Sequence, residues 1–285
     1  MDTVYLNGNF VPMAEAKISP MDRGFLFGDG IYEVVPSYEG RLVGWGPHLD
    51  RMQSGLDALE IALEIDREAW REVAHALIER NGGGNRAIYF HVSRGADTSR
   101  QHAYPKDLQP TLFAFTYEIP AATEPNINTV KPFRVITAED LRWQRCNIKS
   151  TALLGNVMHL QASHAKGCQE TILYNQGEEI TEAAACNVFI VKDGVIATPL
   201  LDNQKLPGIT RQLLLAVLRA DGSLAVEERV VTLEELRKAD EVWLTSSSKD
   251  IAPVVEIDGK AVGDGLVGPT WLAAQTLFSE KKFDF

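Results

Sequence analysis

The 285-residue sequence predicts an α+β protein of two domains. Three observations lead there. Hydrophobic residues make up 45% of the chain, enough for packed cores. Short β-branched and aromatic runs are mixed with segments of helical period. A small proline-bracketed stretch, Pro120-Ala121-Ala122-Thr123-Glu124-Pro125, divides the chain into two parts of similar make-up. The predicted organisation is a domain over 1–120, a linker over 121–125 and a second domain over 126–285 that carries most of the reactive residues.

In the first part, Val4 to Val11 reads as a hairpin around Asn7-Gly8, the strongest short-range turn signal. Gly30 to Val43 reads as two strands around Tyr38-Glu39-Gly40. Leu49, Met52, Leu56, Leu59 and Leu63 recur at helical spacing and predict a helix over 48–64. A second helix is predicted over 67–79, ended by Asn81-Gly82-Gly83-Gly84. Ala87 to Ser93 and Thr111 to Ile119 have strand composition. Beyond the linker the pattern predicts a strand near Arg134, a helix over 151–166 closed by Gly167, and strands over 171–174 and 188–191. A helix over 209–219 follows, then a capping box at Thr232-Leu233-Glu234-Glu235, strands over 241–246 and 254–257, and a terminal helix from Pro269.

Composition excludes several classes. With 28 Lys and Arg against 39 Asp and Glu, the net charge is −11. That disfavours a nucleic-acid partner. Three cysteines, Cys146, Cys168 and Cys186, form no Cys-x-x-Cys and predict reduced thiols in the cytoplasm. The N-terminal residues lack a basic region followed by an apolar core, and no run of about 18 apolar residues occurs, so neither a signal peptide nor a membrane span is expected. The six histidines show no metal-ligand spacing, so no metal is expected. Ser246-Ser247-Ser248-Lys249 matches Ser-x-x-Lys by letters, but Pro253 spoils the helix that pattern needs.

Four groups of residues carry chemistry. Lys149 lies where a β-like segment gives way to an apolar helix. A lysine near a strand end is usually a solvated charge, but here its stem is expected along a buried cleft, where an amine becomes nucleophilic. Glu182 follows in an otherwise small, apolar stretch; its bland reading is a strand-edge carboxylate, its chemical one a partner for a protonated ring nitrogen. Leu206-Pro207-Gly208-Ile209-Thr210 opens a helix, and a helix start with a hydroxyl can seat a phosphate as well as simply begin a helix. Thr245-Ser246-Ser247-Ser248 follows a strand and can add donors, and Arg51 a fixed positive charge. Tyr32, Arg100 and His102 could trap a carboxylate, although Arg100 and His102 read alone as a solvated loop. An amine, a carboxylate and an anion cradle in that order suggest a lysine that carries a phosphorylated aldehyde, pyridoxal 5'-phosphate.

These residues resemble a known family. Asp22-Arg23-Gly24-Phe25 through Tyr32-Glu33, His48-Leu49-Asp50-Arg51, Arg94-Gly95 with Arg100-Gln101-His102, Ile148-Lys149-Ser150, Thr181-Glu182 through Phe189, and Leu206 through Arg211 form an ordered series along nearly the whole chain. The chain is similar to the class IV, fold-type IV pyridoxal-phosphate aminotransferases, and most like those acting on D-amino acids. The resemblance implies the two-domain α+β architecture of that fold type. It implies Lys149 as the Schiff-base lysine and proton carrier, Glu182 at the pyridine nitrogen, Arg51, Ile209, Thr210 and Ser247 at the phosphate, and Leu206 against the ring. Tyr32, Arg100 and His102 would bind the substrate carboxylate, the last two reaching in from the second subunit of a homodimer. Small amino and 2-oxo acids would be the substrates. Relatives acting on L-branched-chain amino acids do not carry Arg-x-His at this loop position, so the pair favours the D-reading. The alternatives are an L-branched-chain or (R)-amine transaminase of the same fold and, more distantly, an aminodeoxychorismate lyase-like enzyme or a carrier without turnover. Ala183-Ala184-Ala185-Cys186 stands where serines are usual, and Ser247 where threonine is usual.

Overall fold

Strand pairing divides the chain between two sheets. The computed structural model describes residues 2–284. Among these, one compact unit comprises residues 2–121 and 148–153, the other residues 122–147 and 154–284.

The first unit is built on a six-stranded sheet in the order β2-β1-β6-β5-β3-β4, antiparallel throughout. Its strands are β1 (Thr3–Leu6), β2 (Asn9–Pro12), β3 (Gly30–Tyr38), β4 (Arg41–Leu42), β5 (Arg86–Ser93) and β6 (Thr111–Glu118). Asn7 and Gly8 both take positive φ, 47° and 92°, which closes the first hairpin as its dipeptide predicts. Helix α1 (Arg23–Phe27) precedes β3. Helix α2 (Trp45–Ala58) begins three residues before the predicted start, and Leu63 lies beyond its end. The left-handed Glu60, φ 54°, stops it. Helix α3 (Arg67–Arg80) is capped by the Asp66 carboxylate. Leu49, Met52 and Leu56 of α2 and Leu77 of α3 bury against Ile31, Val35, Ile88 and Phe90 of the sheet.

The second unit holds a nine-stranded mixed sheet ordered β12-β11-β10-β13-β14-β7-β8-β9, with β15 on β14. Its strands are β7 (Phe133–Glu139), β8 (Glu170–Tyr174), β9 (Ile180–Ala183), β10 (Asn187–Lys192), β11 (Val195–Pro199), β12 (Ala225–Arg229), β13 (Glu241–Ser246), β14 (Asp250–Ile257) and β15 (Lys260–Ala261). Its helices are α4 (Leu154–His164), α5 (Ile209–Asp221), α6 (Leu233–Arg237) and α7 (Pro269–Lys281). The capping box at Thr232 forms as its sequence requires.

The structure differs from the sequence reading at the lysine. The sequence puts Lys149 in the second domain, within a segment leading straight into a helix from Thr151. Instead Ile148–Leu153 pairs with the first unit: Ser150 bridges Ile31, Tyr32 N–H donates to Lys149 O at 3.1 Å, and Thr151 N–H donates to Gly30 O at 2.9 Å. Those bonds keep the backbone extended, so α4 starts only at Leu154. No helix of the described residues is long and apolar enough to cross a membrane.

Candidate active site

In the first unit, strand alternation separates Tyr32 from Glu33. Glu33 points into the core, where His48 Nδ1 lies 2.7 Å from Oε2. Arg51 grips the same carboxylate as a fork, Nε to Oε1 and Nη2 to Oε2, both at 2.7 Å. Burial alone would raise the Glu33 carboxyl, but the Arg51 guanidinium and the His48 hydrogen bond outweigh it and hold it at about 2. Burial also depresses His48. Arg51 is therefore fixed by a buried partner, not by a helix-surface salt bridge.

Tyr32 faces the other way. Its ring stacks on Tyr89 at 5.5 Å, and Lys149 Nζ sits 4.1 Å from its centroid, a cation–π distance. Burial, helped by the neighbouring Tyr32, pushes the Tyr89 hydroxyl up to about 12, so it is a neutral donor. The amine of Lys149 thus rests on an aromatic face while its backbone is pinned to β3.

Arg100 and His102 lie in the exposed loop after β5. Arg100 Cζ is 5.2 Å from the Phe27 ring, and the His102 ring is 5.3 Å from it. The loop is held by Arg23, which donates to Gln101 O at 2.6 Å and His102 O at 3.1 Å. Asp29 fixes Arg23 in turn through Nε at 2.7 Å and also receives Arg94 at 2.8 Å. No hydrogen bond or ring contact joins this loop to Tyr32 among the described residues. The structure therefore brings Lys149 and Tyr32 together, and holds Arg100 and His102 as a separate, ordered pair.

In the second unit, Glu182 on β9 is almost fully buried and held by three donors. Arg142 Nη1 reaches Oε1 at 2.5 Å; Leu206 N–H and Asn187 Nδ2 reach Oε2 at 2.9 and 3.3 Å. Asp140 grips the other side of Arg142, Oδ1 to Nε at 2.9 Å and Oδ2 to Nη2 at 2.7 Å, and Thr181 Oγ1 donates to Asp140 at 2.7 Å. Burial raises the Glu182 carboxyl to about 7, against the pull of Arg142 and the Leu206 N–H. Burial works to lower Arg142, but its two carboxylates outweigh it and keep it firmly charged. Asp140 and Arg142 were not singled out in the sequence. The available signal was an Asp-x-Arg pair shortly before Lys149.

Glu182 is tied directly to the start of α5. Asn187 Nδ2 also donates to Leu206 O at 2.9 Å. A Cβ at Gly208 would lie 1.9 Å from Asn187 Oδ1, so only glycine fits. Gly208→Ala is expected to displace the Asn187 amide, loosen Glu182 and lower stability by about 1–3 kcal/mol, readable as a fall in Tm. No side chain caps α5, so its first-turn N–H groups keep their donors for a ligand, and Ile209 and Thr210 are buried there. Thr245 on β13 pairs with Asn187 across the sheet, which puts both side chains on one face. Its buried hydroxyl finds no partner among the described residues. Ser247 follows in the turn between β13 and β14. Glu182, Leu206, Ile209 and Thr210 are thus one cluster, with Thr245 on the neighbouring strand.

One unit supplies a lysine amine on an aromatic face and a partly buried arginine. The other supplies a buried carboxylate–arginine pair beside an uncapped helix start and an orphaned hydroxyl. Each set holds donor and acceptor types that a phosphorylated heteroaromatic ring requires, the kind of group that enzymes of group-transfer chemistry carry. Solved structures share the fold. The chain superposes on the branched-chain amino acid aminotransferase of Escherichia coli with a TM-score of 0.86 at 23% identity, over 98% of this chain and 93% of that one. On the branched-chain amino acid aminotransferase from Thermobaculum terrenum in its PLP form it gives 0.87 at 19% identity, over 99% and 94%. Residues 30–257 match the family described as amino-transferase class IV. The chain is 37% identical over 280 residues to the D-alanine aminotransferase of Listeria monocytogenes serotype 4b (strain F2365), 98% of this chain and 95% of that protein. It is 37% identical over 284 residues to that of Staphylococcus haemolyticus, 98% of each. The chain belongs to the class IV aminotransferases, which work with pyridoxal phosphate.

Proposed function

We propose that this protein is a D-amino-acid transaminase, moving the amino group of a D-amino acid such as D-alanine or D-glutamate to a 2-oxo acid in two half-reactions. The observation that carries this reading is the near-full-length likeness to proteins named D-alanine aminotransferase. The Arg100-x-His102 loop, ordered by Arg23, supports it.

When bound, pyridoxal phosphate supplies an aldehyde that takes up the amino group and an electron-poor ring that stabilises the charge left when the α-proton departs. The residues fit that group. Lys149 Nζ anchors it and carries the proton from the substrate Cα, its approach set by the Tyr32 ring. Glu182, fixed by Arg142, Asn187 and the Leu206 N–H, would partner the ring nitrogen. Ile209 and Thr210 at the α5 start, with Ser247, would hold the phosphate, Leu206 would pack on the ring, and Arg51 would add a fixed positive charge. Tyr32, Arg100 and His102 take the substrate carboxylate.

The working form is a homodimer. Leu154, Val157 and Met158, at i, i+3 and i+4 of α4, are 72%, 57% and 65% exposed, and Leu141, Trp143 and Leu200 are also open. A second copy of this chain would cover such a surface. Arg100 and His102 are exposed in one copy, and we assign them to the partner's site. All three cysteines are free, which suits a cytoplasmic enzyme. Arg100→Ala is expected to raise KM for D-amino acids by about 30- to 100-fold with a smaller effect on kcat. Unchanged KM would remove Arg100 from the trap.

The test of the reading is the absorbance of the purified protein with D-alanine, D-glutamate, L-leucine or an aromatic (R)-amine added separately. Loss of the visible cofactor band with the D-amino acids alone supports it. Loss with L-leucine or the amine instead makes the protein a transaminase of the other specificity.

A further inference from the structure

The turn that carries Ser247 has an unusual residue at its end. Ser246 and Asp250 are the last pair of the β13–β14 hairpin, and Lys249 N–H donates to Ser246 O at 3.1 Å, a tight turn over 246–249. Asp250 closes it with φ 51°. Asp250 is thus a left-handed residue directly after the turn, a conformation glycine adopts at lower cost. The Asp250 carboxylate is also buried, at 4% exposure. Both liabilities are met from the C-terminal helix. Lys282, at the end of α7 and 1% exposed, reaches Asp250 Oδ2 at 2.7 Å. Earlier in the helix, Trp271 Nε1 donates to Ile251 O at 2.8 Å, and Glu241 on β13 accepts from the N–H groups of Thr270 and Trp271. Helix α7 therefore grips both strands of the hairpin, and Lys282 holds the turn itself.

We infer that Lys282 is a positioning residue for the phosphate of the cofactor: its buried ion pair with Asp250 sets the 247–249 turn, and so the placing of Ser247. The inference rests on the reading of Ser247 as a phosphate donor. Lys282 touches no reacting atom and acts through Asp250. A surface lysine would not be buried to this degree, and an aspartate would not normally occupy a left-handed turn position without a fixed partner.

The test compares two probes on protein stripped of cofactor: pyridoxal 5'-phosphate and pyridoxal, which lacks the phosphate. Lys282→Met is expected to raise Kd for the phosphorylated form about tenfold or more while leaving Kd for pyridoxal within about threefold of wild type. Lys282→Met with Asp250→Gly, which removes the stranded charge and puts glycine at the left-handed position, is expected to restore the phosphorylated form to within about threefold. A rise for both probes alike, or for neither, overturns the inference. If Lys282→Met does not fold, Lys282→Arg keeps the charge, misplaces it and carries the same comparison. Wild-type protein that binds neither probe sinks the functional reading itself. Wild-type preference for the phosphorylated form that survives unchanged in Lys282→Met sinks only the role of Lys282.

Discussion

Lys149→Ala is expected to remove the visible absorption band of the bound cofactor and to cut turnover about 10⁴-fold, the upper end for a positioned proton-transfer group. The residue has two tasks that no neighbour can take over. On the proposed function its amine is the covalent anchor and the base that carries the α-proton. The amine rests against Tyr32, and a phenol is too weak a base at neutral pH to replace it. The fold is expected to survive, because Lys149 is tied to β3 through its main chain: its carbonyl accepts from Tyr32 N–H, and Ser150 and Thr151 make the adjoining bonds. Alanine keeps every one of those bonds. The Tm of the cofactor-free variant should therefore match that of cofactor-free wild type. Lys149→Arg should fail as completely, since guanidinium stays protonated. A surviving band or surviving turnover in either variant would remove Lys149 from the chemistry.

The fold was legible where local chemistry decides it, and the site where a residue type is rare in its setting. Asn7-Gly8 made its hairpin and Thr232 its capping box because turns and caps are settled within four residues. Glu182 stood out as a carboxylate in a run of alanines. What failed to show was long-range. The pairing of Ile148–Leu153 with β3 joins positions as distant along the chain as Tyr32 and Lys149, so it shifted the helix start and moved Lys149 to the other unit. The apolar stripe of α4 suggested a buried cleft, yet Leu154, Val157 and Met158 are open, because periodicity reports only that a face is apolar, not what covers it. Arg142 and Asp140 are ordinary charges in a polar stretch, and only the tertiary structure brings them onto Glu182. Arg23 likewise lies in a quoted motif, but its hold on the carbonyls of Gln101 and His102 depends on a loop far along the chain.

Glu182→Gln is expected to lower turnover by roughly 10²–10³-fold, the cost of losing one fixed charge aimed at the reacting system. It also has a signature in pH that separates it from a packing defect. Burial raises the folded carboxyl to about 7 from an ordinary value of 4.5. A carboxyl with a raised folded value favours the folded state when protonated. Its stabilising contribution is fully present below about 4.5 and is lost as pH rises through about 7, a swing of roughly 3 kcal/mol. Cofactor-free wild type should therefore lose Tm across that window, and Glu182→Gln, with nothing to titrate there, should lose less. Cofactor binding should move the other way. A protonated ring nitrogen needs the charged carboxylate, so affinity should strengthen as pH rises through about 7 in wild type and stay flat in Glu182→Gln. Arg142 sets where this happens. It is the strongest opposing influence on Glu182, so Arg142→Met leaves burial unchecked and moves both transitions to higher pH. Titrating Tm and cofactor Kd against pH in the three proteins decides the matter. Parallel curves would mean that Glu182 does not change charge in this range, and that Arg142 serves only to fill a buried space.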